Sequence, residues 1–153
     1  MDGRRMAGAI AGALVAGIGI SALLIVGERK SGEPSELAVL ERASARKVGL
    51  DDVPGAETLP GAGEQAIIQG GHLLLSAAAG AAYAATTDDE AGVLVSGIGF
   101  GLAFYAAMHW LAGPLLGVKR PEWRAEAGTI GMHTANHLAF GLATAAGARL
   151  ARR

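Results

Sequence analysis

Apolar and polar positions along the chain alternate on a long scale. Four windows, residues 6–27, 65–87, 91–118 and 127–148, hold no charged side chain, and every Asp, Glu, Lys and Arg lies outside them. A hydrocarbon core of ~30 Å takes about 20 helical residues to cross. In lipid each backbone N–H and C=O must be paired within its own segment, so uncharged stretches of this length predict α-helices. The pattern predicts an all-α chain: an integral membrane four-helix bundle, a single domain over residues 1–153. Its spans run over residues 7–26, 66–85, 91–116 and 127–148, and residues 28–64 form a long first loop. In that loop Ser35 precedes Glu36-Leu37-Ala38-Val39-Leu40-Glu41-Arg42, an N-cap before a short surface helix that Gly49 stops. Leu37, Leu40 and Val48 form its apolar side, suited to a membrane surface.

Each window carries a stripe at three- and four-residue steps. In the first, Gly8, Gly12, Ala16 and Gly19 form a small-residue face that lets a neighbouring backbone come close. In the second, Gln65, Gln69, His72, Ser76, Gly80 and Tyr83 form a polar face, which belongs against the bundle rather than lipid. In the third, Gly97, Gly101, Tyr105, His109, Gly113 and Gly117 recur at fours, and Pro114 predicts a kink or an end. Gly97 and Gly101 also suit a homodimer contact. The fourth carries Ile130, His133, His137, Gly141 and Thr144, a stripe that continues from Glu126 just before the window. The short turn Asp88-Asp89-Glu90 makes the second and third spans antiparallel neighbours. Trp123, in the basic connection with Lys119, Arg120 and Arg124, fits an interfacial anchor.

Composition narrows the class. Hydrophobic residues make up 51% of the 153, charged residues only 18%, and there are 24 glycines. Mean hydropathy is +0.35. A net charge of −1 with no basic stripe excludes a nucleic-acid partner. The absence of Cys excludes disulfides and thiolate metal sites. Arg4 and Arg5 before the first window resemble the start of a signal peptide. The run is longer than the usual ~7–15-residue signal core, which predicts a retained span. Lys and Arg are shared between the two sides, and the orientation stays open.

All four histidines fall in or beside one layer. His72, His109 and His133 lie ~9–11 Å below the loop-side surface, and His137 lies one turn deeper. Glu64, Glu122 and Glu126 stand at the rim above. Three readings follow. In the first, the imidazoles bond across helices with Ser, Tyr and Gln, at ~0.6–2 kcal/mol each. The protein is then a non-enzymatic structural or accessory bundle, oligomeric or part of a larger membrane complex, with the lipid bilayer as its partner. In the second, His72, His109, His133 and His137 are ligands for zinc, copper or a b-type haem. His133 and His137 share a face, so a haem would pair one of them with His72 or His109. In the third, Gln69, His72, Ser76 and Tyr83 line the path of a small transporter or channel. No carboxylate lies within a window, which argues against a proton-coupled exporter. There is no H-E-x-x-H, no phosphate-binding loop and no nucleophile–base pair, and no catalytic residue is expected.

The last third of the chain carries a resemblance. Leu116-Gly117-Val118, then Pro121 and Trp123, then His137-Leu138-Ala139-Phe140-Gly141 with Thr144-Ala145 form one set. The Gly/Ala-rich first window, followed by Glu28 and Pro34, forms another. Together they resemble the YagU-like family of uncharacterised bacterial inner-membrane proteins, a domain of unknown function. The resemblance implies a multi-pass protein of four helices in the bacterial inner (cytoplasmic) membrane, and it supplies no activity.

Overall fold

All four uncharged windows are helical in the computed structural model, which describes residues 2–152. Helix accounts for 77% of the described residues, with no strand among them. Helix α1 is Gly3–Ser31; its start is capped by Asp2, whose carboxylate accepts the Arg4 N–H at 3.0 Å, and Gly32 ends it at φ +76°. The short loop helix α2 is Glu36–Lys47, with Ser35 Oγ accepting the Ala38 N–H at 3.3 Å. Helix α3 is Ala62–Thr86 and α6, the last, is Ala127–Leu150.

The third window makes a composite rod. It begins as α4 (Val93–Tyr105), widens into a π-helix over Ala106–Ala112, and ends as α5 (Gly113–Leu115). Pro114 is the cause: it has no N–H to give, and its ring would clash with the carbonyl four residues back. The wider turn resolves this, and the Gly113 N–H bonds the Met108 carbonyl, five residues back.

Helix α1 packs between α3 and α6, and α6 packs between α1 and α4. Small residues set these crossings. Gly8 meets Gly147, Gly12 meets Ala143, Gly80 meets Ala9 and Ile10, and Gly101 meets His137. A Cβ at Gly12 would overlap the Ala143 carbonyl, and one at Gly101 the His137 carbonyl. The expected α1 stripe is corrected at its end: Gly17 faces Ser76, while a Cβ at Gly19 would meet nothing within 4 Å. The Gly97–Gly101 face is filled by α6 and is not free for a homodimer contact.

The helix α2 is not a loose surface helix. Its buried face is Ala38, Arg42 and Ala45, while Val48 is 77% exposed. The difference comes from Arg42, whose guanidinium grips Glu64 of α3 in a two-pronged ion pair at 2.6 and 3.0 Å. A third guanidinium bond, 2.8 Å to the Gly55 carbonyl, ties down the loop beyond.

The interior is built from small and polar residues. Ala9, Ala13, Ala79, Ala84, Ala145 and Ala148 are buried, joined by Tyr83 and Phe140. Large aliphatics such as Val15, Leu23, Leu74, Leu94, Val95 and Leu115 point outward and are mostly exposed. Two of the four expected spans, α1 and the rod Val93–Leu115, are helices long and apolar enough to cross a membrane. Helices α3 and α6 fall short in apolarity because Gln65, Gln69, His72, His133, Asn136 and His137 dilute them.

Candidate functional site

At the loop end of the bundle four segments converge on one buried carboxylate. Glu122 opens the short 3-10 turn Glu122–Arg124 and is fully buried. Its Oε1 accepts from Tyr105 Oη at 3.2 Å and faces His133 Nδ1 at 2.6 Å. Its Oε2 takes the Lys119 ammonium at 2.7 Å and stands 3.5 Å from His109 Nδ1. Glu36, the first residue of α2, closes the cluster from above. It pairs with His133 Nε2 at 2.8 Å and forms an ion pair with Lys119. Lys119 Nζ also lies 2.7 Å from His109 Nδ1.

The hydrogen-bond roles follow from the donors available. An ammonium has no acceptor, so His109 Nδ1 offers its lone pair to Lys119. Each nitrogen of His133 faces a carboxylate oxygen, so that ring donates from both sides. Charge then balances: two carboxylates against one ammonium and one imidazolium. Burial pushes the Glu36 carboxyl up, but hydrogen bonds and charge from His133 and Lys119 outweigh it and hold the group at about 2. Burial likewise opposes ionisation of Glu122, and Lys119 and His133 again prevail, at about 2. Next door, the hydrogen bonds from Arg42 hold Glu64 below the ordinary carboxylate value.

Local chain geometry puts each group in place. The π-helix turns His109 toward the cluster. The Gly113 carbonyl then accepts the N–H groups of Val118 (3.1 Å) and Lys119 (3.3 Å), folding the chain back on the rod's end. Gly117, at φ +64°, supplies the left-handed step that this reversal needs. Glu36 is held by the docking of α2 through Arg42. The buried Glu28 carboxylate adds to this, accepting the Ser35 N–H at 2.9 Å and the Gln65 amide.

Of the four histidines, His109 and His133 join the cluster. His137 sits one turn deeper, its Nδ1–H donating to the His133 carbonyl at 2.9 Å and its ring edge-on to His109 at 5.0 Å. His72 stands apart, bonded to Ser21 Oγ of α1 at 3.0 Å. The other bonds of the α3 stripe run within the helix, Gln69 to Gln65 and Ser76 to the His72 carbonyl, and across to α4, Tyr83 to Ser96. They do not join into a continuous path. The His109 and His133 rings lie 4.4 Å apart, too close for a porphyrin and its iron to lie between them, so the haem geometry does not fit this pair.

Of the three rim carboxylates, only Glu122 belongs to the cluster. Glu64 pairs with Arg42, and Glu126 flanks the start of α6. Sequence reasoning missed Glu36 and Lys119. The one available signal was the Lys119–Glu122 spacing after a proline-broken helix, where a short turn brings the two side chains together. Glu36 reads simply as an acidic first-turn residue, common behind any Ser cap. Comparison with protein-family models, with curated proteins and with solved structures found no match to this chain.

Proposed function

We propose that this chain is a multi-pass membrane protein, a non-enzymatic structural or accessory bundle whose four long helices all cross the bilayer. The observation that carries the reading is the inverted distribution of side-chain size. Alanine and glycine fill the interior while leucine, valine and isoleucine line the outside. Water penalises each such aliphatic by roughly 1.5–3 kcal/mol, whereas acyl chains do not. The apolar stretch of α1 is only 22% buried and that of Val93–Leu115 only 17%, the reverse of a core helix in a water-soluble protein. Backbone contacts through Gly8, Gly12, Gly97 and Gly101 supply the van der Waals packing that holds helices together where no hydrophobic drive exists between them. The polar faces of α3 and α6 are compatible with spanning because they turn inward. The resemblance to the YagU-like family belongs to the same proposal, with the bacterial inner membrane as the expected location.

The test is fractionation of cells expressing the full chain. The protein is expected in the membrane pellet after an alkaline carbonate wash and in solution only with detergent. Recovery in the detergent-free supernatant as a folded helical protein would overturn the proposal.

A further inference from the structure

The cluster at the loop end has the chemistry of a cation site, and the cation it now holds belongs to the chain itself. Glu36, His109, Glu122 and His133 come from α2, the π-helix, the 3-10 turn and α6, and one ligand-type atom from each lies within 4.8 Å of the others. We propose that these four side chains form a divalent transition-metal site, in which the Lys119 ammonium holds the cation position until a metal ion displaces it.

Three observations support this. First, Lys119 Nζ touches three of the four candidate ligands: Glu36, Glu122 and His109. The His109 lone pair is thus aimed at a positive centre, as in metal ligation. Second, the charges match a divalent ion. Lys119 and doubly donating His133 together neutralise two carboxylates. A divalent ion that expels Lys119 and takes the place of one His133 proton leaves the same balance. Third, the outer partners of a metal site are in place. Tyr105 Oη donates to Glu122, and His133 can give one nitrogen to the metal while the other stays braced on a carboxylate.

Lys119 has a way out. It follows the left-handed Gly117 turn, and its side chain is 14% exposed. Glu36, with its side chain 39% exposed, opens the cluster to the aqueous side of the loop end. Two imidazoles and two carboxylates suit zinc, iron(II), manganese or cobalt. With no cysteine in the chain, copper(I) lacks its preferred soft thiolate.

Cobalt(II) is the probe, because its ligand-field bands report N/O ligation directly. Full-length protein in detergent, stripped with chelator, is titrated with Co2+. A single saturable set of visible bands is expected, and Zn2+ should abolish it. Lys119→Met removes the competing ammonium and should bind Co2+ about tenfold tighter. His109→Ala should weaken or erase the bands while helix circular dichroism is kept; its half-buried ring makes this the variant that tests the idea if Lys119→Met does not fold. Absence of bands in the parent and in Lys119→Met alike would overturn the proposal. So would binding by His109→Ala equal to the parent's. Unchanged affinity in a folded Lys119→Met would overturn the role given to that ammonium.

Discussion

Glu122→Gln removes one charge from the centre of the loop-end cluster while keeping the side chain's shape. Glu122 is fully buried and is bonded by Tyr105, Lys119 and His133. Glutamine retains one acceptor oxygen but turns an NH2 donor toward either Lys119 or His133, both of which also donate. Breaking a buried charge pair from one side costs about 3–5 kcal/mol. Glu36 remains as a partner to both cations, so the lower end applies, about 3 kcal/mol. For a chain of this size, that corresponds to a fall in Tm of roughly 6–12 °C. The assay is thermal unfolding of metal-free protein in detergent at pH 7, followed by helix circular dichroism. The double variant Glu122→Gln/Lys119→Met removes the stranded ammonium as well and should recover about half of the loss, because contacting partners couple by ~0.5–3 kcal/mol. A Glu122→Gln protein that melts with the parent would refute the account of the cluster as a balanced charge network. So would a double variant whose loss equals the sum of the two single losses.

Two further outcomes follow from packing and charge. Gly101→Leu drives a side chain into the His137 carbonyl and must part α4 from α6, at a cost of about 1–3 kcal/mol or more. A Cβ at the exposed Gly19 meets nothing within 4 Å, so Gly19→Leu should melt with the parent; equal behaviour of the two variants would contradict the packing described. For pH, Glu36 and Glu122 are held at about 2 when folded against an ordinary 4.5. Their contribution is therefore complete above 4.5 and is lost as pH falls from there toward 2. The Tm of metal-free protein should fall as pH drops from 4.5 toward 2. A Tm that stays level down to pH 2.5 would count against the charge network.

Much of the helical layout could be read locally. The four uncharged windows are the four long helices, Ser35 and Gly49 bracket the loop helix, and Pro114 disturbs the third rod. The inward faces were also legible: Gly97, Gly101 and Tyr105 are buried, as are Ser76, Gly80 and Tyr83. Length and apolarity enough to cross a membrane belong to two of the four, α1 and Val93–Leu115. The residues that make α3 and α6 polar enough to face a bundle are the ones that lower their apolarity. Depth along a helix follows from residue number, which put three imidazoles at one level, but azimuth and partner do not. His72 therefore turned to Ser21, while His109 and His133 turned to carboxylates.

The chain's own pattern thus determined helix positions, capping, and which faces are small enough to touch, because each depends on spacing at 3.6 residues per turn and on local backbone chemistry. Only the tertiary structure decided that Glu36, Lys119 and Glu122 meet His109 and His133. Their meeting depends on a π-helical widening, a left-handed turn at Gly117 and the docking of α2 through Arg42. Each of these moves a side chain relative to a distant segment, and a distance between segments leaves no periodic trace in the order of residues.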